Sequence, residues 1–313
     1  MSAKAAAKKE RKKERGTPEP RPPARRPPPP RRSRAGLLLW GTIGLVVVIV
    51  GVLVAVSQLS SRPPTATGVE YTPRPVPAKV LHEITHVPTS AYDAAGTGIA
   101  GAVNVPTVDA SNPVLTENGK PEVFYLSGDF CPYCAAERWA IIASLSRFGT
   151  FTGLETMQSS PIDAYPRTPT FDFNNATYTS PYVTASLLER YGQETATGSH
   201  PVINTPTKAE LHLIKAFDGG TGGSPSGSIP FSDWGNKVLF SGASYSPSVL
   251  QGLSRAAIAA SLQDPGNPVT KLILGSSNYM SAAVCFIDGG RPGSVCGTSG
   301  VRAAASALGI TST

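Results

Sequence analysis

In one stretch of the chain, the spacing of apolar residues changes from that of a strand to that of a helix. The mostly apolar run Glu122–Leu126 predicts a strand, which breaks at Ser127–Gly128. Further on, apolar residues recur at helical spacing until Gly149: Trp139, Ile142, Leu145 and Phe148. The pattern predicts a strand, a tight turn and a helix, with the motif Cys131-Pro-Tyr-Cys134 at the start of the helix.

Other segments extend this alternation of strands and helices. Strands are predicted at Leu154–Ser159, around Phe171–Phe173 and in a hairpin over Ser228–Gly242 that turns at Gly235–Asn236. Helices are predicted at Lys208–Phe217, Pro247–Leu262 and within Thr270–Cys285, and a tight turn at Glu117–Lys120. The segment 79–105 is compatible with either helix or strand. The alternation favours an α/β domain with a central sheet and crossover connections.

The N-terminal part has a different composition. Residues 1–35 are rich in Ala, Lys, Arg and Pro, which predicts a disordered, basic, Pro-rich tail. Residues 36–56 carry no charge and would span roughly 31 Å as a helix, enough to cross a bilayer. Pro-rich residues 57–78 then predict a stalk, and residues 79–313 the folded domain. A cleaved signal peptide is the alternative to an anchor, but the basic region is long for one.

Charge is distributed unevenly along the chain. The formal net charge is +7, yet residues 1–34 hold 13 Lys and Arg against 3 Glu, so this segment contributes +10 and the remainder about −3. The folded part is therefore not basic, which argues against nucleic-acid binding. The basic residues before the apolar segment place the N-terminus in the cytoplasm and predict an extracytoplasmic C-terminal domain, in a single-pass protein of the cell membrane.

The four cysteines fall into two pairs, Cys131 with Cys134 and Cys285 with Cys296. Paired cysteines are typical of an oxidising compartment. A zinc site is a competing interpretation of CxxC, but the second pair is too widely spaced for a zinc knuckle and the four histidines do not cluster with cysteines. We therefore predict neither a metal nor another cofactor. Metal transfer through CxxC remains an alternative, which predicts Cu(I) or Zn bound to the reduced domain.

The CPYC motif has the features of a thiol–disulfide exchange site. A helix N-terminus stabilises a thiolate, and two cysteines at this spacing can close a small disulfide. Pro132 suits the first helical turn because its missing N–H would be unpaired there in any case. Asp129 and Pro132 indicate an exposed turn, whereas the alternative is an inert, buried disulfide.

The order of strand, CPYC helix, crossover, helix, Ile-Pro strand, hairpin and helix resembles the thioredoxin fold. A closer resemblance is to membrane-anchored, thioredoxin-like proteins of actinobacteria and archaea that form domain of unknown function 929. It rests on these segments: 131–140, 145–149, Ile229-Pro-Phe231, 242–247 and the stretch from Val284-Cys285 to Val295-Cys296. The implied fold is thioredoxin-like with insertions and an extra C-terminal helical segment, after one transmembrane helix.

The resemblance implies roles for particular residues. Cys131 would form the mixed disulfide and Cys134 would resolve it. Ile229 and Pro230 would form a substrate platform, with Pro230 in the position of a cis-proline, and Tyr133 would lie between the sulfurs and contact substrate. An ordinary trans proline at Pro230 is one alternative, and Pro206 is a second candidate for the cis position.

One feature departs from thioredoxin-like proteins, which carry a buried acid six residues before the first cysteine. Tyr125 occupies that position. Glu137 and Asp129 are candidate substitutes for proton transfer, although solvated charges are the simpler interpretation of both. We expect an acid close to Cys131 to oppose formation of its thiolate.

For Cys285 and Cys296 we predict a structural disulfide, because closing so short a loop stabilises by about 3 kcal/mol. The alternative is an electron shuttle to the CPYC pair. Together these features predict a membrane-anchored, extracytoplasmic thiol–disulfide oxidoreductase. Its partners would be exported Cys-containing proteins and a membrane redox partner. The alternative function is a non-catalytic binding module with a structural CPYC disulfide.

Overall fold

A computed structural model describes residues 73–195, 197–218 and 228–311. The predicted tail (1–35), the predicted transmembrane segment (36–56) and most of the predicted stalk (57–78) lie outside these residues. In the described part of the chain, no helix is both long and apolar enough to cross a membrane. The domain begins earlier than predicted, because Arg74–Pro75 forms a short strand and Ala78 already starts a helix.

The described residues form a mixed α/β structure, as predicted. The strands are β1 (Arg74–Pro75), β2 (Thr107–Val108), β3 (Thr116–Glu117), β4 (Lys120–Gly128), β5 (Thr150–Thr152), β6 (Glu155–Gln158), β7 (Pro169–Asp172), β8 (Thr177–Thr179), β9 (Thr184–Tyr191), β10 (Phe231–Trp234) and β11 (Val238–Ser241). The helices are α1 (Ala78–Thr85), α2 (Thr89–Ala95), α3 (Pro132–Leu145), α4 (Lys208–Phe217), α5 (Arg255–Ser261), α6 (Pro268–Asp288), α7 (Gly293–Cys296) and α8 (Ser299–Leu308). A 3₁₀ turn spans Pro247–Leu250.

The central sheet is built around β4, which is the predicted strand before the CPYC motif. Its strand order is β2-β11-β10-β4-β3, and β9 also pairs with β4. The β4–β9 pair is parallel, whereas β10 runs antiparallel to both β4 and β11. Residues 123–128 of β4 are all buried, because neighbouring strands and helices cover both faces.

Two predicted turns have the expected backbone geometry. The β3–β4 turn holds Asn118 at φ 51° and Gly119 at φ 77°, and the β10–β11 turn holds Gly235 at φ 68° and Asn236 at φ 60°. Glycine and asparagine are the residues that adopt such positive φ values most readily. Both predicted hairpin turns are therefore confirmed.

The strand that runs parallel to β4 was missed by the sequence pattern. The predicted strand at Leu154–Ser159 exists as β6, but it pairs with β1 and β7 in a separate three-stranded sheet. The parallel neighbour of β4 is β9, whose sequence Thr-Ala-Ser-Leu-Leu-Glu-Arg-Tyr lacks a continuous apolar run. Tertiary pairing made this segment a strand despite its composition.

The CPYC helix α3 is buried almost completely. Every residue from Pro132 to Leu145 except Tyr133 is buried. The sequence predicted one buried side for this helix, whereas the structure buries it on all sides. Helix α6 packs along α3, and β7 covers another face, where Trp139 Nε1 donates a hydrogen bond to the Pro169 carbonyl at 2.9 Å. The abundance of small residues in α3 permits this close packing on several faces.

The C-terminal segment is helical, as predicted. Helix α6 runs over 21 residues and packs against α8, while Pro247–Leu262 divides into a 3₁₀ turn and α5 instead of forming one helix. Cys285, near the end of α6, forms a disulfide with Cys296 in α7. The predicted pairing of these two cysteines is confirmed.

Candidate functional site

The Cys131 side chain caps the N-terminus of α3. Its Sγ accepts a hydrogen bond from the Cys134 backbone N–H at 3.1 Å, and Pro132 occupies the first helical turn. Cys131 is 5% exposed and Cys134 is fully buried, and both are free thiols in this structure. The turn is thus less exposed than the sequence suggested, because Pro132 is buried too and only Tyr133 projects, at 41% exposure.

The surroundings of the two thiols shift their pKa values in opposite directions. Burial alone would raise the pKa of Cys131, but hydrogen bonds from the Cys134 thiol and N–H, together with the positive charge of Arg138, lower it below its usual value. Burial, followed by the hydrogen bond to Cys131 and the charge of that sulfur, raises the pKa of Cys134 well above its usual value. Cys131 is therefore the better nucleophile of the pair.

Ile229 and Pro230 lie beside Cys131, although Ile229 is 98 positions further along the sequence. The Ile229 carbonyl oxygen is 4.0 Å from Cys131 Sγ, and the Ile229–Pro230 peptide bond is cis. Pro230 precedes β10, and its carbonyl accepts a hydrogen bond from the Gly242 N–H at 2.9 Å. The other cis bond in the described chain is Arg291–Pro292, so Pro206 does not share this geometry.

A cavity of about 530 Å³ opens beside Tyr133. Its wall includes Ala102, Ala243, Tyr245, Val249 and Leu272. Its ten lining residues include no Asp, Glu, Lys, Arg or His. The Tyr133 ring also meets the Tyr165 ring edge-on, with centroids 5.7 Å apart. An uncharged side chain of a bound polypeptide would fit this space better than a charged one.

Glu137, predicted as a solvated charge, is instead buried at 1% exposure. Its carboxylate accepts hydrogen bonds from the Ser244 N–H and the Ser244 hydroxyl, each at 2.7 Å. Burial raises the pKa of Glu137 to about 7, and the two Ser244 hydrogen bonds oppose this rise. These contacts connect α3 to the loop after β11. The prediction that Glu137 is a solvated charge was wrong, because packing covers this face of α3.

Tyr125 is fully buried, and its hydroxyl donates a hydrogen bond to the Cys134 carbonyl at 3.2 Å. Burial raises its pKa well above the usual value, and the charge on the Cys134 sulfur raises it further. A tyrosine with such a high pKa stays protonated at neutral pH. Tyr125 therefore holds the first turn of α3 and does not replace a buried carboxylate.

Asp129, predicted as a second solvated charge, is only partly exposed, and its carboxyl Oδ1 is buried without a hydrogen-bond partner among the described residues. Its carboxyl group lies near those of Asp172 and Glu189, with one oxygen from each of the three within 4.8 Å of the others. Burial first, and then the Glu189 charge, raises the pKa of Asp129 to about 7. The predicted opposition of this acid to the Cys131 thiolate is reduced whenever Asp129 is protonated.

The sequence interpretation missed Arg138 and Glu189, which form a fully buried ion pair next to the motif. Arg138 Nε lies 2.8 Å from Glu189 Oε1, and Nη2 lies 2.6 Å from Oε2. The side-chain ion pair Lys79–Glu83, by contrast, has an 83% exposed lysine. Arg138 follows Cys134 by four residues, and this position next to the motif could have identified it as a site residue. Glu189 lies on β9, the strand that the sequence pattern missed.

The acidic cluster is poorly suited to a metal ion. Both Glu189 oxygens accept hydrogen bonds from Arg138, and the Ser127 hydroxyl donates to Oε2 as well. Asp172 Oδ1 accepts hydrogen bonds from the Asn174 N–H and side-chain amide at 2.8 and 2.7 Å. A guanidinium in the centre of a site opposes cation binding. The cluster is therefore better described as an arginine with its counter-charges.

The second cysteine pair lies away from the CPYC pair. Ser144 of α3 lies 3.1 Å from Ser281 of α6, hydroxyl to hydroxyl, and Ser281 is one turn before Cys285. Ser144 is ten residues beyond Cys134, which corresponds to about 15 Å of helix. The two pairs are thus separated by the length of the packed helices. This arrangement favours a structural role for the Cys285–Cys296 disulfide over direct exchange with Cys131.

The fold and the site together define a mixed α/β domain that carries a CxxC motif at a buried helix N-terminus. The family model of a domain of unknown function, DUF929, matches residues 106–216. The matched region includes β4, the CPYC helix and β9, and it ends before Ile229. No curated protein and no solved structure matches the chain. The predicted resemblance to this family is confirmed.

Proposed function

We propose that the chain is a thiol–disulfide oxidoreductase with a thioredoxin-like fold, acting on exported proteins through Cys131 and Cys134. The observation that carries the proposal is the asymmetry of the two thiols. The Cys131 sulfur is stabilised as a thiolate by hydrogen bonds at a helix N-terminus, whereas the Cys134 thiol is fully buried and has a raised pKa. An attacking thiol and a resolving thiol require this difference.

The topology supports the thioredoxin-like part of the proposal. β4 leads directly into the CPYC helix, β9 pairs in parallel with β4, and the β10–β11 hairpin lies on its other side. Ile229 and Pro230, at the start of that hairpin, lie beside Cys131. The helix after that hairpin that packs along α3 is α6, and α1, α2, α5, α7 and α8 are then additions around this core.

The exchange proceeds in two displacement steps. The Cys131 thiolate attacks one sulfur of a substrate disulfide, forms a mixed disulfide and releases the other substrate sulfur as a thiolate. Cys134 then loses its proton and attacks the Cys131 sulfur, which closes the protein disulfide and releases the second substrate thiolate. The substrate dithiol is the reduced product and the protein dithiol is oxidised. The reverse sequence introduces a disulfide into a substrate dithiol.

The surface around Cys131 suits a polypeptide substrate. The Ile229 carbonyl near the sulfur offers an acceptor for the backbone of an extended chain, which is a common way of binding peptides. Tyr133 and the uncharged cavity beside it offer space for a neighbouring side chain. We assign substrate binding to Ile229, Pro230 and Tyr133 on this basis.

We place the domain outside the cytoplasm, anchored by residues 36–56. The uncharged composition of that segment and the basic residues before it support this orientation. The Cys285–Cys296 disulfide is typical of proteins in oxidising compartments. A redox partner in the membrane would return the CPYC pair to its starting state after each exchange.

Trapping the mixed disulfide tests the proposal. The full-length Cys134→Ser variant, incubated with a disulfide-containing peptide, should accumulate a covalent adduct at Cys131, which mass spectrometry of the unreduced digest would locate. The Cys131→Ser variant is the matched control and should form no adduct. If Cys131 in the wild-type chain resists both adduct formation and alkylation after mild reduction, the domain is a non-catalytic binding module instead.

A further inference from the structure

Two histidines lie one turn apart at the end of helix α1, in the segment His82-Glu-Ile-Thr-His86. The His86 N–H donates a hydrogen bond to the His82 carbonyl at 2.9 Å, as in a continuing α-helix. Residues at this spacing share one side of a helix. The two imidazole rings are stacked, with centroids 4.4 Å apart and an interplanar angle of 24°, and both residues are exposed. The rings therefore face solvent as a pair.

The packing of α1 holds this pair in place. Val80 and Ile84, on the other side of the helix, are buried, and α1 packs against α5 and α3. The Gln263 side-chain amide also donates a hydrogen bond to the Glu83 carbonyl, in the last turn, at 2.8 Å. A ligand that binds both rings would therefore not have to order the helix first, and this lowers the cost of binding.

Hydrogen bonds fix the position of the ring proton of His86. The Thr85 hydroxyl donates its single hydrogen to the Leu81 carbonyl at 2.7 Å. The same oxygen lies 2.8 Å from His86 Nδ1, so it accepts a hydrogen bond there and Nδ1 carries the proton. In the neutral ring, Nε2 then has the free lone pair. Histidines that bind metals almost always donate the second ring N–H to an acceptor, which fixes the orientation of the ring.

We propose that His82 and His86 form a binding site for one divalent transition-metal ion, separate from the CPYC motif. Neutral imidazole suits Zn²⁺, Cu²⁺ and Ni²⁺, whereas Mg²⁺ and Ca²⁺ prefer oxygen ligands. A tetrahedral ion with bonds of about 2.0–2.1 Å holds two nitrogens about 3.4 Å apart. Stacked rings with centroids 4.4 Å apart need only a small tilt to reach that separation. The proposal does not depend on the exchange function proposed above.

The ion would keep open coordination positions. Within the residues that the structure describes, the one group of three or more metal-ligating side chains is Asp129, Asp172 and Glu189, which includes neither histidine. With two protein ligands, roughly half of a tetrahedral shell is left to water or to an incoming ligand. The site is therefore suited to an exchangeable ion, whereas a structural zinc ion has a closed shell of protein ligands.

Glu83 completes the pattern His-Glu-x-x-His, which on a helix is typical of zinc metalloproteases with the glutamate as general base. Here the Glu83 side chain is only 15% exposed, and its Oε1 lies 3.8 Å from Lys79 Nζ. Its Oε2 is buried, with no hydrogen-bond partner in the described part of the chain. The carboxylate is thus turned towards the protein, away from the exposed rings, although its charge still favours a cation nearby. We assign metal binding to this segment, and not peptide hydrolysis.

Zinc titration without the CPYC thiols tests the site. In the full-length Cys131→Ser, Cys134→Ser variant, prepared without a polyhistidine tag, isothermal titration calorimetry should show about one Zn²⁺ bound per chain. Adding His82→Ala or His86→Ala should weaken the apparent affinity about tenfold or more, because each removes one of the two ligands. Thr85→Val keeps the size of the side chain but removes the acceptor for Nδ1–H, and should weaken it about tenfold.

His212→Ala, added to the same background, is the matched control. His212 is also exposed on a helix, α4, but the residues four positions before and after it are Lys208 and Ala216. This variant should keep the background affinity and stoichiometry. With Cu²⁺, electron paramagnetic resonance should show nitrogen couplings from two imidazoles in the background and in His212→Ala, and from fewer in His82→Ala.

Either of two results overturns the site. One is the absence of Zn²⁺ binding in the background variant. The other is an affinity that His82→Ala and His86→Ala leave as high as His212→Ala does, because the ion would then lie elsewhere. Failure of the Cys131 trapping experiment removes the exchange function and leaves this result unaffected.

Discussion

The two cysteine pairs of this domain show how the surroundings decide what a cysteine does. Cys131 and Cys134 are separated by two residues at the start of a helix, with hydrogen-bond donors and a buried arginine around them. Cys285 and Cys296 are separated by 11 positions, are joined in a disulfide and lie in the hydrophobic core. The same side chain is thus a candidate nucleophile at one end of α3 and a cross-link near the other.

The difference lies in access as well as in electrostatics. Tyr133, which lines a cavity of about 530 Å³, and the Ile229 carbonyl lie beside the first pair, and we expect a second polypeptide to approach Cys131 there. The second pair is 0–1% exposed and joins α6 to α7. Exchange requires that a thiolate reach the disulfide, so we expect this buried cross-link to contribute to stability.

The largest expected effect is the loss of disulfide exchange when the CPYC pair, but not the Cys285–Cys296 pair, is changed. Replacing Cys131 by Ser should abolish exchange with a disulfide peptide, a loss of about 10³-fold or more, because Ser cannot form the mixed disulfide. The double variant Cys285→Ser, Cys296→Ser should retain exchange under conditions in which it is folded. Peptide thiol release, measured for both variants, checks this. Loss of exchange in a folded double variant would contradict the division of roles and support a shuttle.

The second prediction separates the pairs by stability. Removing the Cys285–Cys296 disulfide through the same double Ser variant should lower the free energy of unfolding by about 2–5 kcal/mol, because the unfolded chain gains freedom. Urea denaturation of the full-length protein, followed by tryptophan fluorescence, measures the change. Cys131→Ser is the control and should unfold close to the wild-type midpoint. Equal destabilisation by the two variants would remove the contrast between the pairs.

The smallest effect concerns Glu137, which lies on the CPYC helix but contacts Ser244 instead of a cysteine. Its pKa of about 7 in the folded protein exceeds the usual value of 4.5. Below about pH 4.5, Glu137 is protonated in both the folded and the unfolded protein, and its full contribution to the free energy of unfolding is present. As pH rises to about 7, the unfolded state loses its proton first, so up to about 3 kcal/mol of stability is lost.

Glu137→Gln should therefore reduce the fall in the free energy of unfolding between about pH 4.5 and pH 7. Part of the fall should remain, because Asp129 also titrates in this range. Urea midpoints at several pH values measure this slope. Glu155→Gln is a suitable control, because Glu155 lies on β6 and its carboxylate accepts one hydrogen bond, from Asn175, in an exposed position. A slope in Glu137→Gln equal to that of wild type would show that Glu137 does not titrate in this range.

Local patterns were sufficient for much of the fold. The alternation around β4 and α3, the Asn-Gly and Gly-Asn turns and the helix at Lys208–Phe217 all follow from short-range chemistry, and the structure confirms them. The pattern failed at β9, because pairing with β4 stabilises a strand whose own composition is mixed. It also failed to assign β6 to a sheet, since pairing between distant segments leaves no local signal.

Short-range patterns were enough to identify the two cysteine pairs, the CPYC motif at a helix start and the resemblance to DUF929. Long-range packing was needed to bring Ile229 to Cys131, Glu137 to Ser244 and Arg138 to Glu189. Such contacts leave no local signal, because burial and charge pairing depend on groups far apart in the chain. A motif specifies which atoms are present, whereas packing sets their pKa values and access.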